Sequence, residues 1–236
     1  MVVLIDKPLE WTSFAAVNKM KFTMLAYLRR QIEAGKYSLT TGQKLRIKIG
    51  HAGTLDPLAT GLLIVCLGKQ TKNIDSFMGM PKEYTGSFYI GASTPSFDLE
   101  TAVNETFSTE HITPELLHQT AKQFIGEQQQ FPPVYSAIRK DGKRLYESAR
   151  AGVEVDIASR LVLIHEFELT KIELPLVHFR IVCAKGTYIR SIAQDFGKAL
   201  GSGAYLNSLR RTKIGEYDVK DAATVIEFVE WVNTGE

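Results

Sequence analysis

Cysteine is scarce in this chain: Cys66 and Cys183 are the only two among 236 residues. Each stands in an apolar run, and their spacing fits neither a disulfide framework nor a zinc site. No apolar run approaches the roughly 20 residues that cross a bilayer. Residues 1–6 lack the basic start of a signal peptide. We therefore expect a cytoplasmic protein that does not span a membrane.

Cofactor motifs are also missing. The sequence contains no Gly-x-Gly-x-x-Gly after a strand, no phosphate-binding loop and no cluster of His and Cys residues. We therefore expect no cofactor and no bound metal. A large charge excess is absent too, since 28 Lys and Arg residues face 26 Asp and Glu residues, a net charge of +2. That total neither requires nor excludes a nucleic-acid partner, because the distribution of charge decides.

The most informative stretch is residues 50–61, GHAGTLDPLATG, with three glycines, one proline and one carboxylate. Glycines adopt backbone angles that other residues resist, and Pro57 favours an extended conformation at Asp56. The continuous apolar run 62–67 that follows is typical of a buried strand. The pattern predicts a rigid loop that presents Asp56. The simplest alternative is a loop aspartate that only bonds its own backbone.

The order of strand and helix patterns along the chain indicates an α+β fold. Alternating or continuous apolar runs predict strands at about residues 2–5, 62–67, 84–90, 161–174, 177–184 and 206–214. Helical periodicity and capping residues predict helices at about residues 13–34, 70–78, 113–125, 187–200 and 222–232. In this scheme Thr187 caps its helix, and residues 126–133 are irregular.

Residues 50–61 resemble the catalytic motif of the TruB family of tRNA pseudouridine synthases. Further landmarks agree in order and rough spacing over about residues 3–220: Asp6-Lys7-Pro8 with Thr12-Ser13, Lys82-Glu83-Tyr84, Pro133-Val134-Tyr135-Ser136-Ala137, and residues 185–191. The resemblance implies the pseudouridine synthase fold. That fold is a mixed, largely antiparallel sheet in two halves, with flanking helices and a central cleft.

The resemblance also implies one catalytic domain over residues 1–236. Common bacterial members of the family carry a C-terminal RNA-binding PUA domain, which we do not expect here. The family reaches its catalytic motif sooner, so residues 23–46 are expected to be an insertion. The basic residues in and just after it, including Lys44, Arg46 and Lys48, form either a solvated loop or a flap that contacts phosphates.

The implied reaction converts the T-loop uridine of tRNA, position 55, into pseudouridine. The implied partner is therefore the T arm of tRNA, and a monomer is expected. Asp56 would act on the sugar or the base, either as a nucleophile or as the trigger for elimination across C1′ and C2′. Burial alone would raise the pKa of Asp56, so a close cation is required, and the resemblance assigns Arg190. The alternative for Arg190 is an exposed helix residue.

We expect four further residues in the pocket. By the resemblance, Tyr84 is a catalytic residue that would stack on the target uracil. Its hydroxyl is also a candidate base for a sugar or C5 proton, although a strand tyrosine is more often a packing residue. Tyr188 and Leu209 would line the same pocket. His51 would fill the space that the extruded base leaves, or it would cap the loop backbone as a structural histidine.

The remaining assignments concern the grip on RNA. Lys7 and Asp98 would hold the RNA or the loops around it. Arg139, Lys143 and Arg144 surround an Asp-Gly turn and would contact the RNA backbone, unless the turn is only a solvated hairpin tip. Two rival functions remain open: the same chemistry on a stem-loop of another RNA, and a non-catalytic RNA-binding protein that retains the fold.

Overall fold

The structure is a computed structural model, and it describes residues 1–39, 44–135, 139–140, 143–144 and 157–234, with the backbone alone at 139–140 and 143–144. The chain forms two compact units. The first comprises Met1–Met80 and Arg210–Glu236, and the second comprises Pro81–Leu209. Both units combine strands with helices, so the predicted α+β class is confirmed. The central cleft and the single domain stay predictions.

Fourteen strands are found in the described residues: β1 Val2–Lys7, β2 Ile49–His51, β3 Ala59–Leu67, β4 Lys82–Ile90, β5 Ala92–Ser93, β6 Glu105–Thr106, β7 Gly126–Gln130, β8 Arg139–Lys140, β9 Lys143–Arg144, β10 Arg160–Glu173, β11 Leu176–Cys183, β12 Ala204–Ile214, β13 Tyr217–Asp218 and β14 Ala223–Thr224. The α-helices of the same residues are α1 Ser13–Glu33, α2 Ile74–Gly79, α3 Pro114–Gln123, α4 Ile189–Ala199 and α5 Val225–Thr234. Short 3₁₀ helices cover Gly68–Asn73 and Val219–Asp221. Among the described helices, none has both the length and the apolar content needed to cross a membrane.

The first unit is built on strand β3. Its neighbours are β1, which pairs with it antiparallel, β2, and the end of β12. Strand β14 adds to β1 in the parallel direction, so the sheet is mixed, as predicted. Leu63 and Val65 point into a core shared with helices α1 and α5, whereas Leu62 and Ile64 point into a second core that contains Phe77. Burial on both faces explains why residues 62–67 are continuously apolar.

Helix α1 confirms its sequence prediction. The amide of Ala15 donates to the Thr12 hydroxyl at 2.9 Å, which satisfies one of the free N–H groups of the first turn. Gly35, with φ of +72°, follows the last turn, where a glycine is favoured. Ser13, Ala16, Val17 and Met20 form the buried stripe. Since Ser13 is in this stripe, its hydroxyl faces the interior of the first unit.

The second unit has the strand order β12, β4, β11, β10 and β7. Its core contains Phe88, Phe167, Phe179 and Phe196, whose rings contact one another at centroid distances of 4.3–6.5 Å. Strands β10 and β11, both predicted from the sequence, pair antiparallel. Helix α4 lays its apolar face on this core, as its periodicity predicted.

Two predictions were wrong in the second unit. Residues 126–130 form strand β7 on the edge of the sheet, because backbone pairing with β10 needs no apolar side chains at an edge. Thr187 does not cap helix α4: its hydroxyl donates to the Ala184 carbonyl at 3.0 Å, and the helix begins at Ile189 after Tyr188. A threonine two residues before a helix can bond the preceding turn instead.

Gly61, in β3, has φ of +104°, and a Cβ there would lie 2.8 Å from the Arg211 nitrogen and overlap its carbonyl. We expect Gly61→Ala to lower the free energy of unfolding by about 3 kcal/mol or more, because backbone strain adds to overpacking. Gly68→Ala is the control, since Gly68 has φ of +60° with open space around it, and should cost about 1 kcal/mol. Urea denaturation measures both, and equal losses would contradict the steric argument.

Candidate active site

Asp56 lies at the tip of a hairpin in the first unit. Strand β2 leads into the tip and β3 leads out of it, with Gly50 opposite Cys66 and His51 opposite Val65. The Ala52 amide extends the ladder by donating to Ile64 at 2.9 Å. We call residues 53–58 the Asp56 loop. Both of its ends are anchored in a sheet; the sequence predicted strand β3 after the loop but not strand β2 before it.

Side chains from distant parts of the chain hold the backbone of the Asp56 loop. The Leu55 amide donates to the Ser13 hydroxyl at 2.8 Å, and that hydroxyl lies 3.1 Å from the Leu55 carbonyl, to which it donates. The Arg211 guanidinium donates to Gly53 at 3.0 Å and to Leu62 at 2.8 Å. Because Leu55 directly precedes Asp56, these contacts restrict where the carboxylate can lie.

Lys7 completes this support. Its ammonium is fully buried and donates to the carbonyls of Pro8 at 2.8 Å, Trp11 at 2.5 Å and Pro57 at 3.4 Å. Burial lowers the pKa of Lys7 to about 8, and the nearby Asp56 carboxylate opposes this shift. Lys7 is therefore a cation beside Asp56 that also ties the loop down. Of its two predicted roles, its burial favours holding loops.

The Lys7 pKa predicts an alkaline limit to activity. As the pH rises through about 8, Lys7 loses its proton, so the Asp56 loop loses a donor and Asp56 loses a cation. Between the folded pKa and the unfolded value of 10.5, the unfolded chain binds more protons, so folding stability should rise with pH in that window. We expect kcat to decline above pH 8 while thermal stability does not.

A pH–rate profile from pH 6.5 to 9.5, beside melting curves at each pH, measures this. Lys7→Met should be less active and should lack the inflection near pH 8. A flat wild-type profile through pH 9, or a decline that only follows unfolding, would contradict a role for the Lys7 charge.

His51 is half-buried at the end of β2. Burial and the Arg211 cation lower its pKa, with the Gly53 backbone acting weakly in the opposite direction. The ring is therefore neutral at physiological pH. Its buried Nδ1 has no hydrogen-bond partner among the described residues. A neutral ring beside the loop is compatible with either role that the sequence allowed.

Arg190 is the second residue of helix α4 in the second unit. Its side chain is buried, with 3% of its surface exposed, so the alternative of an exposed helix residue is wrong. The Arg190 Nε lies 3.6 Å from an Asp98 carboxylate oxygen, and Nη1 donates to the Ser96 carbonyl at 3.4 Å. The pairing of Arg190 with Asp56 stays a prediction.

Asp98 is also buried, with 5% exposed. Its second carboxylate oxygen accepts from the Glu100 amide at 3.0 Å. The preceding Phe97 has φ of +65°, and its carbonyl accepts from Leu206 at 2.8 Å. Asp98 is therefore held rigidly as the partner of Arg190. This position favours a role in orienting that guanidinium over direct contact with RNA.

The sequence did not indicate how the start of α4 is held. The Gln130 side chain, which is buried, donates to the Tyr188 carbonyl at 3.1 Å and accepts from the Tyr188 amide at 2.8 Å. The Arg160 guanidinium lies 4.5 Å from the centre of the Tyr188 ring, which is a cation–π distance. The Ser191 hydroxyl donates to Phe131 at 2.8 Å. Gln130 thus holds the backbone of Tyr188, the residue just before the helix that carries Arg190.

Tyr84 and Leu209 lie in the second unit, as part of β4 and β12. Both are half-buried and pack against the core of that unit. Tyr84 stands opposite Ile181 in the sheet. A half-buried strand tyrosine is compatible with either packing or stacking on a base, so the role of Tyr84 stays a prediction.

The predicted basic turn contains a hairpin, in which Arg139 pairs with Arg144 and Lys140 with Lys143. The side chains of Arg139, Lys143 and Arg144 lie outside the described part of the chain, so their RNA contacts stay predictions. Two further arginines lie in strand β12. Arg211 holds the Asp56 loop, and Arg210 forms a two-pronged ion pair with Asp6 at 3.1 and 2.6 Å.

The matches to family models cover most of the chain. Residues 40–189 match the model described as TruB family pseudouridylate synthase (N terminal domain). Residues 190–235 match the model described as tRNA pseudouridylate synthase B C-terminal domain. The Asp56 loop, Tyr84 and Tyr188 lie in the first match, and Arg190 is the first residue of the second.

Two relatives that match over nearly their whole length are both named tRNA pseudouridine synthase B. The chain is 58% identical to tRNA pseudouridine synthase B of Flavobacterium johnsoniae, over 97% of this chain and 94% of that protein. It is 46% identical to tRNA pseudouridine synthase B of Phocaeicola vulgatus, over 100% of this chain and 94% of that protein.

Solved structures agree on the fold. The structure titled as a Cbf5-Nop10-Gar1 complex contains a chain that is 27% identical, with a TM-score of 0.64, and this protein spans 56% of it. An H/ACA RNP bound to a substrate RNA gives a TM-score of 0.66 at 24% identity, over 55% of that chain. The family matches, the identities to whole relatives and the fold agree, and the chain belongs to the TruB family of pseudouridine synthases.

Proposed function

We infer that this protein is a tRNA pseudouridine synthase that isomerises the T-loop uridine at position 55. One observation carries the site: Asp56, the acid of the family motif, lies on a loop whose backbone is bonded by Ser13, Lys7 and Arg211. Such restraint has a purpose in catalysis, because a reacting group must be held close to its productive position.

The reaction exchanges one bond for another within the same nucleotide. The N1–C1′ bond breaks, the uracil turns, and C5 bonds to C1′ and loses its proton while N1 gains one. No electrons or groups are transferred to the solvent, so the chemistry needs no cofactor. Asp56 supplies the anionic oxygen, as a nucleophile on the sugar or base or as the trigger for elimination across C1′ and C2′.

The carboxylate must stay ionised in a site that excludes water. We assign Arg190 as its guanidinium partner, since that side chain is buried and its fork suits a carboxylate. Lys7 is a second cation, on the same unit as Asp56, that favours the ionised form. Asp98 keeps the Arg190 guanidinium in one orientation through the ion pair at 3.6 Å.

The target base is stacked inside the T loop and must be extruded. Unstacking costs a few kcal/mol, which stacking and hydrogen bonds in the pocket recover. We assign the stacking role to Tyr84, with Tyr188 and Leu209 as walls and His51 in the space that the base leaves. Arg139, Lys143 and Arg144 contact the RNA backbone. A monomeric, cytoplasmic enzyme that binds the T arm completes the proposal.

Incubation of the purified protein with unmodified tRNA transcript, followed by mapping of pseudouridine at single-nucleotide resolution, tests this function. We expect one modified position, in the T loop. Modification of another stem-loop in preference to the T arm would favour a different RNA substrate. Tight tRNA binding without any pseudouridine would favour a non-catalytic RNA-binding protein.

A further inference from the structure

An excess of positive over negative charge is found in one fifth of the chain. Residues 11–55 contain eight lysines and arginines, one glutamate and no aspartate. The rest of the chain contains 20 lysines and arginines against 25 acids. The overall net charge of +2 therefore conceals a strongly basic segment that runs directly into the Asp56 loop.

Part of this segment faces solvent in a regular way. Lys44, Arg46 and Lys48 are exposed, and they alternate with half-buried apolar residues. Of these, Ile47 and Ile49 pack against the core of the first unit. Because side chains of an extended segment alternate between two faces, the three cations share the outward face.

Two further cations lie on the same edge. Strand β2 begins at Ile49, which pairs with Leu67 at the end of β3, and the Gly68 amide donates to the Lys48 carbonyl at 2.8 Å. The 3₁₀ helix Gly68–Asn73 starts there and carries exposed Lys69 and Lys72. We call these five residues the basic edge: Lys44, Arg46, Lys48, Lys69 and Lys72.

The basic edge is not neutralised within the described part of the chain. No ion pair joins any of its five cations to another described residue. Ile47 and Ile49 pack on the core and the Lys48 carbonyl accepts from Gly68, so the backbone that carries Arg46 and Lys48 is restrained. A polyanion relieves the repulsion between these cations and releases counterions, which favours binding of a phosphodiester backbone.

The basic edge and Asp56 occupy opposite ends of one hairpin. Strand β3 separates them with nine residues, Ala59–Leu67, a length of about 25 Å at the usual rise for a strand. RNA at the basic edge therefore lies well away from the nucleotide that meets Asp56. On the basis of the proposed function, we propose that the basic edge binds the tRNA backbone beyond the T loop.

The test compares two triple variants of the full chain. Lys44→Gln, Arg46→Gln and Lys48→Gln together remove three of the five cations of the basic edge. Lys122→Gln, Lys198→Gln and Lys220→Gln form the control, because these cations are equally exposed and lie elsewhere. Each triple changes the net charge by the same amount, and melting curves verify that both variants fold.

Dissociation constants are measured for whole tRNA and for a short T-arm hairpin at several salt concentrations. The basic-edge triple should bind whole tRNA at least about 10-fold more weakly, with a log–log salt slope smaller by about 2 to 3. Its affinity for the short hairpin, and its kcat at saturating tRNA, should match the wild type. For the control triple, the dissociation constants of both RNAs should change only slightly.

Four results would overturn the proposal. Three of them are an unchanged salt slope, an equal loss in the control triple, and an equal loss of affinity for the short hairpin. An unchanged affinity for tRNA would instead leave the basic edge for a partner such as an acidic protein, and would also refute it. Failure of the proposed function can be told apart from failure of this proposal. If the proposed function is wrong, the wild type forms no pseudouridine, whatever the salt dependence of its tRNA binding.

Discussion

Replacing Asp56 by asparagine should reduce pseudouridine formation by at least about 10³-fold, the scale seen when a group that acts on the reacting atoms is removed. The amide has nearly the same shape but carries no negative charge, so it can neither attack nor accept a proton. The loop should stay in place, because Ser13 and Arg211 bond its backbone at Leu55 and Gly53. Affinity for tRNA should therefore change by less than about 2-fold.

Single-turnover rates and equilibrium tRNA binding measure the two effects separately. Asp75→Asn is the matched control: Asp75 is an exposed acid of the same unit, in the first turn of α2, and the variant should behave as wild type. Normal turnover in Asp56→Asn would refute the catalytic role. A loss of tRNA affinity as large as the loss of rate would indicate a damaged loop rather than missing chemistry.

Arg190→Lys is expected to lower kcat by about 10²-fold with a much smaller effect on tRNA binding. Lysine keeps the charge but has one donor group in place of the guanidinium fork. It cannot reach both Asp98 and the Ser96 carbonyl, which Arg190 contacts at 3.6 and 3.4 Å. The cation would then no longer have the orientation that we assign to it beside Asp56.

Asp98→Asn tests the orienting role of Asp98, because it keeps Arg190 and its charge but removes the ion pair between them. We expect an intermediate loss of kcat. Arg180→Lys is the control: Arg180 is an arginine of the same unit that bonds Glu83, Glu166 and Glu168 on a partly exposed surface. Its activity should stay within about 2-fold, as for surface ion pairs. Equal losses of kcat and tRNA affinity in Arg190→Lys would contradict the proposed role.

The local patterns of the sequence predicted most elements. Thr12 and Gly35 mark the ends of α1, and the Asp-Pro step with its glycines marks the loop that leads into β3. These features depend on backbone angles and caps within a few residues, so they are visible without the fold. Strand β7 was missed for the same reason, because its only structural signal is pairing with β10, about 30 residues further on.

The sequence by itself determined that a constrained loop would present one carboxylate, Asp56, and that a helix with a buried face would carry Arg190. Only the tertiary structure decided which groups hold them. Ser13, Lys7 and Arg211 meet at the Asp56 loop, and Asp98 and Gln130 meet at the start of α4. Such contacts join residues 42 to 158 positions apart, and they exist only where packing of the core brings those residues together.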